Sequence, residues 1–136
     1  MKKILGLFFV LAGLFCFNSC KNYIDQLSIA GNKYIMTNMV PVSDDPDSLS
    51  LSVMQDGCSL TFNSDGSSYV QKRGTTTISS GSYDVNTSGN SVTLTDSSTG
   101  VAVTYTFSER ATVLSGRESW SSGAYTANFT VTYRLN

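Results

Sequence analysis

From residue 33 onward, apolar and polar residues alternate along most of the chain, the period of a strand with one buried face. Cys58, Leu60 and Phe62 point one way, Ser59 and Thr61 the other, and Asn63-Ser64-Asp65-Gly66 then reverses the chain. Gly66 suits the φ > 0 position that closes such a hairpin. Lys33–Val40 reads as the first strand, with Tyr34, Met36 and Val40 on one face and Ile35 and Met39 on the other. Pro41–Ser48, with both prolines and three aspartates, reads as a loop. Leu49–Met54 alternates and predicts a strand with Leu49, Leu51 and Val53 inward.

Ser68–Arg73 sets Tyr69 and Gln71 against Val70 and Lys72. Gly81–Asn86 and Ser91–Thr95 follow, with Tyr83, Val85, Val92 and Leu94 inward. Val101–Ser108 carries Val101, Val103, Tyr105 and Phe107 on one face. Thr112–Ser121 carries Val113 or Leu114 and then Trp120, with Gly116 as a bend. Ala124–Leu135 places Tyr125, Ala127, Phe129, Val131, Tyr133 and Leu135 inward and pairs with an early strand. The expected fold is all-β: an antiparallel up-and-down meander of about eight strands closed into a small barrel. A two-sheet β-sandwich is the alternative.

Composition narrows the function. The formal net charge is −1 and charged residues are 14%, so there is no basic excess and no expected nucleic-acid partner. Histidine is absent, which removes the commonest general base and metal ligand. The three aspartates of the Pro41–Ser48 loop offer hard oxygens, but no glycine turn or distal glutamate completes a calcium loop, and a solvated loop is preferred. No metal and no cofactor are expected.

The N-terminus reads as an export signal. Lys2 and Lys3 precede an uninterrupted apolar run, Ile4–Phe17. The run is shorter than the roughly 20 residues that cross a bilayer. Phe17-Asn18-Ser19-Cys20-Lys21 resembles a relaxed bacterial lipobox, which implies lipidation of Cys20 and membrane anchoring. The domains are then a lipoprotein signal peptide over 1–19, a tether over 20–32 and a barrel over 33–136. Cys16 leaves with the signal, so Cys58 is the single thiol and reads as a small buried core residue. A turn of apolar residues in the tether, from Tyr23 to Ala30, suits the closing of one barrel end.

Several stretches in order resemble the lipocalin-like lipoproteins of Bacteroidetes. These are Gly31-Asn32-Lys33-Tyr34-Ile35, Leu60-Thr61-Phe62-Asn63-Ser64-Asp65-Gly66, Gly81-Ser82-Tyr83-Asp84-Val85 and Thr130-Val131-Thr132-Tyr133-Arg134-Leu135. Tyr34 stands where that family has tryptophan, and Arg134 would lie across it. The resemblance implies a lipocalin-like barrel, an outer-membrane location facing periplasm or surface, and a small hydrophobic ligand. The implied lining is Tyr69, Tyr83, Tyr105, Phe107, Trp120, Phe129 and Tyr133. The same aromatics equally suit a filled core, and a surface protein that binds a protein partner is the alternative.

No enzyme is expected. Asp84, Glu109 and Glu118 read as isolated surface acids, and Ser119 and Ser121 beside Trp120 lack a nucleophile elbow or a base. Asp47-Ser48-Leu49 resembles the three-residue O-glycosylation site of some Bacteroidetes, which implies a glycan on Ser48.

Overall fold

A computed structural model describes residues 24–42, 47–88 and 90–136. Cys20 and the export signal lie outside the described residues. So do residues 21–23 of the tether and residues 43–46 of the acidic loop.

The protein is nearly all-β: one closed barrel of eight antiparallel strands in sequential order, with one short helix among the described residues. The strands are β1 (Lys33–Pro41), β2 (Cys58–Phe62), β3 (Ser68–Arg73), β4 (Thr76–Asn86), β5 (Ser91–Asp96), β6 (Ala102–Ser108), β7 (Val113–Ser122) and β8 (Tyr125–Leu135). The last strand returns to the first, with Met36 opposite Tyr133 and Met39 opposite Val131. This closure decides for a barrel over a sandwich, and it removes the sheet edges that would otherwise invite pairing with other chains.

Leu49–Met54 is not a strand. Asp47–Asp56 forms the helix α1. Leu49 and Val53, one helical turn apart, are buried, while Leu51 is 61% exposed. The i, i+4 pair satisfies a helix as well as alternation satisfies a strand. Gly57, with φ 69°, ends the helix, and its N–H donates to the Met54 carbonyl at 3.2 Å. The β1 pattern also changes. A register shift between Met36 and Asn38 inserts a bulge, which turns Met39 inward and leaves Val40 exposed. Tyr125, Leu135 and Val101 point out of the core because they lie at strand ends or beyond them.

The barrel has two unlike ends. At one, residues 26–31 turn beneath the strands and bury Ile29 completely. The Gly31 N–H donates to Phe62 O at 2.8 Å, and Gln26 bridges Tyr83 O (2.6 Å) and Val85 N–H (3.0 Å). Tyr34, Phe62 and Tyr83 meet edge to face above this plug, with centroids 5.7 and 4.8 Å apart. The Tyr34 hydroxyl donates to Ala111 O at 2.7 Å. Arg134 does not lie across Tyr34: it is exposed and pairs with Glu109 at 3.2 Å.

At the other end α1 covers part of the opening. Ser50 Oγ donates to Met39 O at 2.9 Å, and Arg73 pairs with Asp56 at 2.5 Å.

Candidate functional site

The barrel wall is not evenly sewn. The β6–β7 ladder runs from Ser108–Val113 to Tyr105–Gly116 and stops. Beyond it, Ala102–Thr95 still binds β6 to β5, and Ser122–Tyr125 still binds β7 to β8. Ala102–Thr104 and Arg117–Ser122 therefore face each other without a shared ladder. Gly116 stands at the fork, where a Cβ would come within 2.7 Å of the Tyr105 ring.

A half-open chamber of about 520 Å³ occupies this fork and the adjoining barrel interior. Tyr69, Tyr105, Trp120, Leu94 and Val103 supply its apolar walls, and Gln71 and Glu118 supply polar ones. The β5–β6 turn, through Asp96, Thr99 and Val101, forms its rim. Asp96 is fixed there by Ser79, which donates to Oδ2 at 2.7 Å and lies 2.7 Å from the Tyr69 hydroxyl. The Ser98 and Thr99 N–H groups each donate to Asp96 Oδ1 at 2.9 Å. Hydroxyl and backbone donors together hold the Asp96 carboxyl well below the usual carboxylate range.

Glu118 is the chemical centre. Alternation along β7 puts Gly116, Glu118 and Trp120 on the inner face, with Glu118 opposite Phe129. The side chain is buried, not a surface acid. Oε1 accepts from Tyr133 OH at 3.0 Å, from Gln71 Nε2 at 3.1 Å and from Tyr105 OH. Oε2 accepts from Trp120 Nε1 at 2.7 Å. Gln71 Nε2 also reaches Tyr133 OH at 2.8 Å. Burial pushes the Glu118 carboxyl above its ordinary value, and the hydrogen bonds from Tyr105, Tyr133, Trp120 and Gln71 oppose that rise. Burial, and then the Glu118 charge, raise both phenols well above the usual tyrosine range. Burial first, and Glu118 next, lift the Cys58 thiol to about 11, so at neutral pH it is no nucleophile.

All seven aromatics expected to line a site are buried. Tyr69, Tyr105 and Trp120 line the chamber. Tyr133 supports its floor through Glu118. Tyr83 instead belongs to the plug, where its hydroxyl donates to Gln26 O at 2.9 Å. Phe107 and Phe129 are packed in the core and do not line the chamber. Glu118 was missed as a site residue, although its two-residue spacing from inward Trp120 is a legible signal. Gln71 shares the face of Tyr69 in the same way. Asp84 and Glu109 are exposed, so no carboxylate pair forms with Glu118. Ser48 is exposed at the start of α1. Among the described residues no group of acids and cysteine is arranged to hold a metal. No helix of the described residues is long and apolar enough to cross a membrane.

Comparison with known proteins finds no family model that matches this sequence and no curated protein that matches it.

Proposed function

We propose that this is a lipocalin-like lipoprotein of the cell envelope, anchored through a lipidated Cys20, whose barrel carries a small ligand. The observation that carries the ligand reading is the chamber of about 520 Å³. Its volume falls in the range of small-molecule sites, roughly 300–1,000 Å³. Its walls join aromatic and aliphatic surface to a few fixed polar groups, the usual make-up of such sites. The other half of the barrel is filled by Tyr34, Phe62, Tyr83 and Phe107, so the ligand is short and occupies one end only. The role is binding, with no reaction assigned.

A second reading, a protein-binding surface, draws on Leu51, Met54 and Tyr125, which are large, apolar and exposed on α1 and at the start of β8.

Trp120 makes the test direct, because it is the single tryptophan and it lines the chamber. A neutral hydrophobic dye such as N-phenylnaphthylamine is titrated while Trp120 emission is followed. Saturable one-to-one energy transfer, lost in Val103→Phe, is expected. Val103 is partly buried and lines the chamber, so the larger ring takes up chamber space. Absence of saturable transfer, or transfer that Val103→Phe leaves untouched, would move the search to the outer surface.

A further inference from the structure

Building on the chamber reading, we infer that its ligand is a small organic amine or ammonium compound, with its cationic end at Glu118 and its apolar body against Leu94 and Val103. Three observations support this.

The first is charge. Gln71 and Glu118 are the buried polar side chains among the described residues, so Glu118 is the buried charge of the barrel. The two ion pairs seen among those residues, Arg73–Asp56 and Arg134–Glu109, leave it out. Its four partners are neutral: two phenols, an indole and an amide. A buried carboxylate without a counter-ion is costly, and a cation delivered by a ligand relieves that cost.

The second is acceptor geometry. A carboxylate offers about four lone-pair sites. Oε1 already accepts from three donors, whereas Oε2 accepts from Trp120 alone. Oε2 thus keeps an acceptor position, and Glu118 lines the chamber.

The third is the wall. Tyr69, Tyr105 and Trp120 surround the same space. Aromatic faces attract cations, more so when water is excluded. At the rim, Asp96 has its oxygens engaged by Ser79, Ser98 and Thr99, and Arg117, whose side chain is exposed, also borders the chamber. Arg117 is not among the partners of Glu118, whose donors are Gln71, Tyr105, Trp120 and Tyr133.

The test compares three probes of one shape: 2-phenylethylamine, 2-phenylethanol and phenylacetate. Each is titrated into the full chain at pH 7 with Trp120 emission as the readout. The amine is expected to bind at least tenfold more tightly than the alcohol, and the carboxylate most weakly. In Glu118→Gln, which keeps shape and loses charge, the amine should fall to the level of the alcohol. Equal affinity of amine and alcohol for the unaltered protein overturns the inference without needing any variant to fold. An amine preference that survives in Glu118→Gln overturns it as well. If N-phenylnaphthylamine binds while the three probes do not discriminate, the inference alone falls. If the dye fails too, the chamber reading falls with it.

Discussion

At the scale of the residue, Glu118 sets the balance between order and charge. Four donors fix the carboxylate, yet burial still raises its pKa above the ordinary value. Between the unfolded and folded values, the folded chain holds a proton that the unfolded chain has released. The stability contributed by this group therefore grows as pH falls into that window, and is lost as pH rises through the folded value. Asp65 and Asp96 act in the opposite sense. Hydrogen bonds, led by Ser68, lower Asp65 to about 2, and those from Ser98 and Ser79 lower Asp96 further. Their contributions are present above the ordinary carboxylate value and lost as pH falls through the folded values. Comparing the unaltered protein with Glu118→Gln at each pH cancels the two aspartates. Urea midpoints measured between about pH 8 and pH 4 should show the unaltered protein gaining on the variant as pH falls. A difference that stays flat would mean that Glu118 titrates as an ordinary acid, and one that grows in the other direction would place its folded value below the ordinary one.

At the scale of the element, the β6–β7 seam controls the site. Gly116 lets the Tyr105 ring lie against the backbone where the strands part. Gly116→Ala places a methyl group 2.7 Å from that ring, and Tyr105 is fully buried and cannot swing away freely. The expected cost is about 1–3 kcal/mol, typical of overpacking a filled core. Chemical denaturation measures it, and Trp120 emission should shift because Tyr105 and Trp120 share the Glu118 carboxylate. Full stability with unchanged emission would show that the ring is free to move. The seam is also the expected route into the chamber. Thr104 and Arg117 are the next pair beyond the last rung. A disulfide between Thr104→Cys and Arg117→Cys, confirmed by mass, should slow dye uptake at least severalfold when oxidised and restore it on reduction. Equal rates in both forms would place the entrance elsewhere.

The same elements show how far the sequence was legible. Strand order and closure followed from alternation and turn residues, since a period of two is unambiguous over the length of β8, but alternation alone yields nine segments, and Leu49–Met54 is the one that is not a strand. The helix α1 escaped because Leu49 and Val53 fit both periods; in the helix both are buried, and Ser50 bonds to Met39 of β1. The bulge after Met36 escaped because one extra residue reverses parity without any composition signal. Trp120 was read as inward, and the same parity carries Glu118 inward, against the strong expectation that a carboxylate faces water. The parting of β6 from β7 has no local signature except Gly116, because it is fixed by barrel stagger over the whole sheet.

At the scale of the molecule, plug and chamber lie at opposite ends of the barrel. Residues 26–31 plug the end where β2 and β4 finish, whereas the chamber opens where β5 and β7 finish. Between Cys20 and Ile24 the chain spans at most roughly 14 Å, from the extended rise of about 3.5 Å per residue. A lipid on Cys20 would therefore hold the plugged end near the membrane and turn the chamber toward the aqueous side. A ligand arriving from solution, as a small amine would, suits that orientation better than one drawn from the bilayer. The prediction concerns Cys20 itself. Cys20→Ala should move the protein from the membrane fraction to the soluble fraction and abolish incorporation of labelled palmitate. It should leave the thermal midpoint and the dye titration unchanged, because the plug is held to the barrel by Gln26, Ile29 and Gly31, all downstream of Cys20. Membrane retention in Cys20→Ala would overturn the lipid anchor while leaving the chamber intact. Loss of dye binding in the same variant would show that the segment before Ile24 helps to build the site, and that anchor and chamber are not independent.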